Sequence, residues 1–483
     1  MTILVLDLGS SSVRALLFDE SANLLAQVTH RHSFTTTPPG ASTLDVAELQ
    51  ARVESCLDEI LRLPQASDIR AVGMDTFVGN ILGVDAKGRA VTPVYTYADT
   101  RSAEDVAALA SHIDIEAVHQ RTGCIHHTAY LPARLHWLRR TDADLFAKVA
   151  QWIDVGTYLY RQWFGDAPCS YSVASWTGML NRETLEWDKD WIKLLKLPKS
   201  ALPVLVDTDA SCSGLLSKFA QRWPSLSKLP FYLAVGDGAA ANVGSGCVEP
   251  GQIALSLGTT AALRMVSTEK LPPVPAGLWS YRITADRHLI GGATTEGGNI
   301  FQWVKDTFTL PDDAEAQLLK RKPDVHGLTF LPLLAGERSP GWAIDATGAI
   351  NGLRLSTTPL DVLQAALEGV ALRLSIIAEQ LGGDQAVIAI GRSLEASRAW
   401  TQMIANALNR QVKLTNEGEI TARGTAILAL SALDQSPLSD FPLKIAATIK
   451  PKPAAVKTFS AARERQEALY RKFYGDPMLD PRS

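Results

Sequence analysis

One apolar segment of this sequence ends in a carboxylate that is well placed to move a proton. Phe231–Val235 leads into Gly236-Asp237-Gly238, and small residues follow it over Ala239–Asn242. A carboxylate at the end of a strand can accept the proton of an attacking hydroxyl, which is typically worth ~10²–10⁴ in rate. We therefore take Asp237 as the candidate general base. The alternative is that Asp237 only caps the helix beginning there, because aspartate is a preferred N-cap.

Two turns rich in glycine and hydroxyl side chains have the chemistry needed to bind phosphate. Ile3–Leu8 leads into Gly9–Ser12, and Ile253–Leu257 leads into Gly258–Thr260. Backbone N–H groups and hydroxyls in such turns can hold phosphate oxygens, while Asp7 beside the first turn can orient Mg²⁺ or its waters. Each turn alone is ambiguous, because these residue types also form ordinary turns. Their repetition in the same context favours a nucleotide site.

Strands are predicted on both sides of each turn. Val13–Phe18 follows the first turn, Leu24–Val28 follows that strand, and Ala261–Val266 follows the second turn. Dinucleotide-binding folds and Walker-type NTPases place a helix directly after the glycine loop, and the G-x-x-x-x-G-K-[ST] motif is absent from the sequence. The pattern instead predicts two halves, each beginning with a phosphate-binding hairpin, on either side of a cleft.

Domain boundaries follow from changes in composition. Small residues and Val248-Glu249-Pro250-Gly251 interrupt the pattern, so we expect an N-terminal domain over 1–244, a C-terminal domain over 245–440 and a peripheral segment over 441–483. A helix is predicted over Leu360–Leu381, with Thr358 as its N-cap, Pro359 at its first position and two glycines at its end. A charged stretch over 461–473 predicts a last helix.

Overall composition limits the classes of function. The chain has 483 residues, 46% hydrophobic and 20% charged, with a formal net charge of -4. This is ordinary for a globular protein and gives no electrostatic signal for a nucleic-acid partner. We find no secretory leader or membrane-spanning segment and expect a cytoplasmic protein. The five cysteines have no metal-site or disulfide spacing, so free buried thiols are expected.

Five motifs in order along the chain resemble those of the FGGY carbohydrate kinases. They are the segments at 7–12 (DLGSSS), 97–101 (YADTR), 236–242 (GDGAAAN), 256–260 (SLGTT) and 336–340 (GERSP). The resemblance implies an α/β fold of two actin-like ATPase (ribonuclease H-like) domains flanking a catalytic cleft. It also implies transfer of a phosphoryl group from ATP, with Mg²⁺, to a hydroxyl of a small sugar or sugar acid.

The resemblance assigns roles residue by residue. Asp237 matches the catalytic base, and Asp7 and Asp237 are the expected Mg²⁺ ligands. The expected ATP-binding residues are Asp7, Gly9, Ser10, Ser11, Ser12, Arg14, Gly258, Thr259, Thr260, Gly391 and Arg392. The expected acceptor-binding residues are Asp75, Thr76, Phe77, Asn80, Asp99, Arg101 and His127.

Two segments depart from the family pattern. Gluconate and xylulose kinases carry Met-His before a small residue where this chain has Val78-Gly79-Asn80, and the preceding Asp75-Thr76-Phe77 resembles rhamnulose-type kinases. Gly391-Arg392-Ser393 stands where paired glycines usually admit the adenine. Other stretches look most like gluconate kinases, so a gluconate-like acceptor is expected. A ketose or deoxyketose kinase (xylulose-, ribulose- or rhamnulose-type) and a non-catalytic sugar-binding regulator are the alternatives, and a homodimer is left open.

Overall fold

The computed structural model describes residues 1–475 except Ile344 and Asp384, and the side chain of Arg392 also lies outside the described part. The strands are β1 (Thr2–Leu8), β2 (Ser12–Asp19), β3 (Leu24–Arg31), β4 (Thr35–Thr37), β5 (Ala41–Leu44), β6 (Ile69–Thr76), β7 (Leu82–Val84), β8 (Val94–Tyr95), β9 (Gln151–Ile153), β10 (Cys169–Ser170), β11 (Leu205–Val206), β12 (Ser211–Cys212), β13 (Phe231–Tyr232), β14 (Val235–Gly236), β15 (Ile253–Leu257), β16 (Ala261–Ser267), β17 (Trp279–Thr284), β18 (Arg287–Thr294), β19 (Thr329–Leu331), β20 (Ala349–Asn351), β21 (Val387–Ile390), β22 (Val412–Leu414) and β23 (Ala447–Ile449). The α-helices are α1 (Val46–Ile60), α2 (Ala103–Ala110), α3 (Ile115–Thr122), α4 (Leu131–Thr141), α5 (Ala143–Lys148), α6 (Val155–Phe164), α7 (Tyr171–Ser175), α8 (Lys189–Leu194), α9 (Ser217–Arg222), α10 (Asp237–Gly244), α11 (Gly298–Thr307), α12 (Ala314–Lys320), α13 (Pro359–Leu381), α14 (Arg392–Ala396), α15 (Arg398–Leu408), α16 (Ile420–Asp434) and α17 (Pro453–Tyr474).

The N-terminal half is built on a mixed sheet in the order β12-β13-β6-β1-β2-β3, with β14 also pairing β6. β1, β2 and β3 form the predicted antiparallel meander, and β6 runs parallel to β1. Every residue of β1 is buried. A strand that is covered on both faces has a nearly continuous apolar sequence. Asp7 is the charged residue in this otherwise largely apolar strand.

The C-terminal half repeats this arrangement in the order β17-β18-β16-β15-β21-β22-β23. β15 and β16 form the second predicted hairpin, and β21 runs parallel to β15. β23 is an edge strand of the same sheet, although its residues belong to the segment predicted to be peripheral. The repeated topology confirms two α/β halves of the same kind.

Helix α13 is the prediction that the structure reproduces most closely. It spans Pro359–Leu381, and Thr358 caps it in a reciprocal capping box with Asp361. Gly382 ends it with a positive φ of 72°. The last helix, α17, spans Pro453–Tyr474 and is therefore longer than the predicted 461–473.

Two helices cross between the halves at very short range. A Cβ on Gly244 of α10 would lie 1.9 Å from the carbonyl oxygen of Ile420, and one on Gly424 of α16 would lie 1.8 Å from that of Ala240. Only glycine allows this approach. The crossing brings α16, from the C-terminal half, against β1 and β6 of the N-terminal sheet.

No helix in the described part of the chain is long and apolar enough to cross a membrane. All five cysteines are free; four are buried and Cys212 is half-buried.

Candidate active site

Asp237 lies where β14 ends and α10 begins. The N-cap of α10 is Gly236, and Asp237 is the first helical residue. The Gly238 N–H donates to Asp237 Oδ1 at 2.7 Å. Burial raises the pKa of Asp237 to about 6, while that hydrogen bond and the charges of Arg264 and Arg338 oppose the rise. The carboxylate is therefore ionised at neutral pH and more basic than an ordinary aspartate, as a general base needs to be.

Three carboxylates meet at the ends of three neighbouring parallel strands. The register places Asp7 of β1 opposite Asp75 of β6, and β14 pairs Val235 with Asp75 and Gly236 with Thr76, so Asp237 follows directly after the last pair. Asp7 and Asp75 are both buried. Burial raises the pKa of each, and the negative charges of Asp7 and Asp237 add to the rise at Asp75.

Two contacts tie this carboxylate cluster to the other half of the molecule. Arg14 of β2 pairs with Asp7 at 2.6 Å between Nη2 and Oδ2, and it also pairs with Glu419, which precedes α16. The Thr425 hydroxyl of α16 donates to Asp75 Oδ2 at 2.6 Å. Because both contacts join the two halves, their relative position sets the geometry of the acidic cluster.

The second hairpin has an open tip among glycines. Gly258, Thr259 and Thr260 are exposed, and a Cβ on Gly258 would meet nothing within 4 Å. Gly391, at the end of β21, has a φ of +128°, and a Cβ there would lie 2.2 Å from the carbonyl oxygen of Leu257. The Gly298 N–H at the start of α11 donates to the Gly258 carbonyl oxygen at 2.7 Å. This cradle of bare backbone suits phosphate binding.

The first hairpin tip is built differently. The Gly9 N–H donates to the Ser12 carbonyl oxygen at 2.9 Å, which closes the turn. His32 contacts the Gly9 carbonyl oxygen through Nε2 at 2.9 Å. Ser11 is exposed, and Ser10 and Ser12 are half-buried, so the tip remains accessible next to Asp7.

Two arginines from the C-terminal half affect Asp237 through their charge. Arg264 of β16 donates to Ser256 Oγ at 2.9 Å, and its Nε is buried without a hydrogen-bond partner in the described part. That Nε lies 3.5 Å from the point where a Cβ on Gly238 would be. The positive charges of Arg264 and Arg338 both act on the pKa of Asp237. Neither guanidinium forms an ion pair within 4.0 Å among the described residues.

Aromatic side chains form the wall behind the base. Trp176 packs against Gly236 and Gly238, where added Cβ atoms would lie 2.6 Å and 2.8 Å from its ring atoms. Its ring stacks on Tyr281 with a centroid distance of 3.6 Å. The Trp176 Nε1–H is buried and has no partner in the described part, so one more donor lies next to Asp237.

His127 adds a neutral donor on the same side. Burial, with the positive charge of Arg338, lowers the pKa of His127 to about 3. The Ala129 N–H donates to Nδ1 at 3.2 Å, so the proton of the neutral ring is on Nε2. The ring meets Trp342 edge to face, with centroids 5.2 Å apart.

Several predicted acceptor residues have their polar groups satisfied inside the protein. Asn80 is buried, its Oδ1 accepts from the Val155 N–H at 2.9 Å, and its Nδ2 donates to the Phe77 carbonyl oxygen. Phe77 is fully buried, and the Thr76 hydroxyl donates to its carbonyl oxygen at 3.2 Å. These contacts indicate that the 76–80 segment is held by the core of its own half.

Asp99 and Arg101 pair with each other. Arg101 Nη2 lies 2.6 Å from Asp99 Oδ2, and its guanidinium stacks 4.4 Å over the Trp137 ring. Asp99 also accepts from the Ser42 N–H at 3.1 Å. The structure therefore gives this pair a role in shaping the segment after β8.

The acidic cluster at the strand ends fits a hard cation. Carboxylate oxygens are the ligands Mg²⁺ prefers, and the ion usually takes one or two of them plus substrate phosphates. One Asp75 oxygen, Oδ1, is buried without a hydrogen-bond partner in the described residues. Asp7 and Asp237 can hold such an ion between the two phosphate-binding hairpins.

A second group of possible ligands lies away from the cleft and does not suit a metal. Asp324, His326 and Glu368 bring their ligand atoms within 4.8 Å of one another. However, the Leu328 N–H donates to His326 Nδ1, so Nε2 carries the proton and faces Glu368 at 3.2 Å. Asp324 is paired with Arg465 of α17 at 2.6 Å. The group is internally satisfied.

Sequence reasoning did not identify Arg264, Arg338, Trp176, Glu419 or Thr425 as site residues. Arg338 lies in the 336–340 motif, so that motif was the one available signal. Arg264 lies in β16 and Thr425 in α16, while Glu419 directly precedes α16 and Trp176 directly follows α7. Only the tertiary packing of the two halves brings these side chains to Asp237 and Asp7. The side chain of Arg392, predicted to bind the nucleotide, lies outside the described part.

Comparison with known proteins gives one consistent result. The models for the N-terminal and C-terminal domains of the FGGY family of carbohydrate kinases match residues 2–244 and 253–433. A gluconokinase of Bacillus subtilis (strain 168) is 25% identical over 447 residues, covering 89% of this chain and 87% of that protein. A xylulose kinase of Escherichia coli (strain K12) is 24% identical over 432 residues, covering 88% of each. The crystal structure of a gluconate kinase from Lactobacillus acidophilus superimposes with a TM-score of 0.92 at 22% identity, covering 98% of this chain and 99% of that one.

Proposed function

Because this chain belongs to the FGGY family of carbohydrate kinases, we propose that it transfers the γ-phosphoryl group of ATP to a hydroxyl of an open-chain sugar acid such as gluconate. Membership of the family makes the protein a carbohydrate kinase with ATP as phosphoryl donor. The acid acceptor, the Mg²⁺ ion and the roles of individual residues are the proposed parts. A cytoplasmic location and a homodimer stay predictions.

The observation that supports an acid acceptor is a set of donors near Asp237 and Arg338, two of which are guanidinium groups. Arg264 and Arg338 have no ion-pair partner among the described residues, and the His127 Nε2–H and Trp176 Nε1–H are further donors. With a neutral sugar bound, Asp237 would be the counter-charge near two guanidinium groups that form no ion pair among the described residues. A carboxylate would pair with them through charge-assisted hydrogen bonds, which are the strong ones.

In the proposed reaction the acceptor hydroxyl oxygen attacks the γ-phosphorus. Its proton passes to a carboxylate oxygen of Asp237 as the new O–P bond forms. The bond between the γ-phosphorus and the oxygen that bridges it to the β-phosphate breaks, and ADP leaves. The two hairpin tips, Gly9–Ser12 and Gly258–Thr260, hold phosphate oxygens through backbone N–H groups. Their positions on opposite sheets explain why the site needs both halves.

Mg²⁺ would supply neutralisation of the phosphate charge when bound. Asp7 and Asp237 are the residues proposed to hold it. Arg14 pairs with Asp7 and so keeps that carboxylate in place at the end of β1. The raised pKa of Asp7 follows mainly from burial, and a cation at the cluster favours its ionised form.

A comparison of matched acceptors tests the proposal. ADP release is measured with gluconate, with glucitol, which replaces the carboxylate by a neutral CH₂OH group, and with xylulose and glycerol. Hydrogen bonds to charged groups contribute about 1.5–3 kcal/mol, so we expect kcat/KM for gluconate to exceed that for glucitol by about 10-fold to 150-fold. Arg264→Met should remove most of this preference, and Arg287→Met, at an arginine paired with Asp286, should keep it. A wild-type preference for xylulose would favour the ketose alternative, and a preference for glycerol would refute the acid acceptor.

A further inference from the structure

The segment 337–343, which we call the acceptor-side loop, is folded around the carboxylate of its own first residue. The Glu337 N–H donates to the Ala343 carbonyl oxygen at 3.0 Å and closes the loop. The N–H groups of Gly341 and Ala343 donate to Glu337 Oε1 and Oε2 at 3.3 Å and 3.4 Å. The carboxylate therefore links both ends of the loop, through two long hydrogen bonds.

Stronger contacts to this carboxylate come from two helices outside the loop. Arg373 of α13 forms an ion pair with Glu337 Oε1, and the two side chains are only 4% and 2% exposed. The Tyr470 hydroxyl of α17 donates to Glu337 Oε2 at 2.6 Å. The Arg373 guanidinium stacks 4.7 Å over the Tyr470 ring, so the tyrosine contacts both members of the pair.

The backbone of the loop packs closely on these groups. A Cβ on Gly341 would lie 2.2 Å from the Tyr470 hydroxyl and 2.3 Å from Glu337 Oε2. The hydroxyl therefore fills the space directly beneath the loop, and its loss leaves the carboxylate held from outside by Arg373 alone.

The other side of the loop faces the candidate acceptor site. The Trp342 N–H donates to the Arg338 carbonyl oxygen at 2.7 Å, and its indole Nε1–H donates to the Gly277 carbonyl oxygen at 2.8 Å. The Trp342 ring meets His127 of the N-terminal half. The charge of Arg338 contributes to the lowered pKa of His127 and opposes the rise in the pKa of Asp237.

From these contacts we propose that Tyr470 of the C-terminal helix is a positioning residue for acceptor binding. Its hydroxyl fixes the Glu337 carboxylate, the carboxylate fixes the acceptor-side loop, and the loop places Arg338 and Trp342 at the acceptor. This role rests on the proposed function, because it requires that Arg338 contact the acceptor. Small displacements of positioning groups are costly for substrate binding and alignment, although the residue itself touches no reacting atom.

Tyr470→Phe tests the role with little change in shape, because it keeps the ring over Arg373 and removes only the hydroxyl. Tyr474→Phe is the matched control: it lies one turn further along α17, and its hydroxyl donates to the Thr347 carbonyl oxygen at 2.9 Å, beyond the loop. We expect Tyr470→Phe to raise KM for gluconate about 3-fold to 10-fold, with kcat within about 2-fold and KM for ATP unchanged, since the loss of one hydrogen bond loosens a single loop. Tyr474→Phe should leave all three constants unchanged.

Arg338→Met separates failure of this inference from failure of the proposed function. If Arg338→Met leaves KM for every acceptor unchanged, Arg338 does not contact the acceptor, and the proposed acceptor site fails together with the inference. If Arg338→Met raises KM for gluconate while Tyr470→Phe behaves like Tyr474→Phe, only the positioning role is overturned. A fall in kcat and melting temperature for Tyr470→Phe, with KM unchanged, would indicate general destabilisation and would also overturn it.

Discussion

Replacing Asp237 by asparagine is expected to make the protein inactive and more stable at the same time. The amide keeps the shape of the side chain but cannot accept the proton of the attacking hydroxyl. General-base assistance is worth about 10²–10⁴ in rate, so we expect kcat to fall by at least about 100-fold while KM values change little.

The gain in stability follows from the raised pKa. The ordinary aspartate value is 3.8 and that of folded Asp237 is about 6, so the folded protein holds this proton more tightly than the unfolded chain does. Such a group contributes its full stability below the unfolded pKa and loses it as the pH rises through the folded pKa. At pH 7.5 the ionised side chain therefore costs the folded state on the order of 1–3 kcal/mol, after allowing for its partial exposure to solvent.

The assay combines coupled ADP release with urea unfolding of wild type and Asp237→Asn at pH 4 and pH 7.5. The two proteins should have similar free energies of unfolding at pH 4, and the variant should be the more stable at pH 7.5. Asp312→Asn, at an exposed position, serves as the control and should change neither quantity. Near wild-type turnover in Asp237→Asn would remove this residue from the mechanism, and equal stability of the two proteins at both pH values would refute the raised pKa of this carboxylate.

Two further substitutions test other parts of the site. Asp7→Asn should raise the Mg²⁺ and ATP concentrations needed for half-maximal rate by about 10-fold or more, because it removes a charge from the proposed cation site. The KM for the acceptor should change little. A change confined to the acceptor KM in steady-state kinetics would contradict this prediction. Asn80→Ala should lower the free energy of unfolding by about 1–3 kcal/mol, because it leaves the buried Val155 N–H without its acceptor, and it should leave KM for the acceptor within about 2-fold. An increase in the KM for the acceptor with unchanged stability would instead support Asn80 as an acceptor-binding residue.

Local features of this protein were readable from the sequence because short-range physics specifies them. The hairpins around Gly9–Ser12 and Gly258–Thr260 follow from apolar strands interrupted by turn residues, and both are observed. Helix α13 follows from Thr358, Pro359 and the two glycines after Leu381. Asp237 stood out because a charged residue ends an apolar strand, although it proved to be the first helical residue, with Gly236 as the N-cap.

What only the tertiary structure decided is which side chains share the cleft with that aspartate. Arg264 lies in a strand of the C-terminal half and Asp237 at the start of α10, 27 positions earlier in the chain, yet they are close in space. Tyr470 and Glu337 are 133 positions apart and are joined by a hydrogen bond. The structure also shows that Asn80 bonds the Val155 N–H and that Asp99 pairs with Arg101. Turn and cap residues act on backbone atoms only a few residues away along the chain, so their effect can be predicted from the local sequence. Charge partners and enclosed donors depend on how sheets and helices pack, and that packing is fixed by many weak contacts that no single segment reveals.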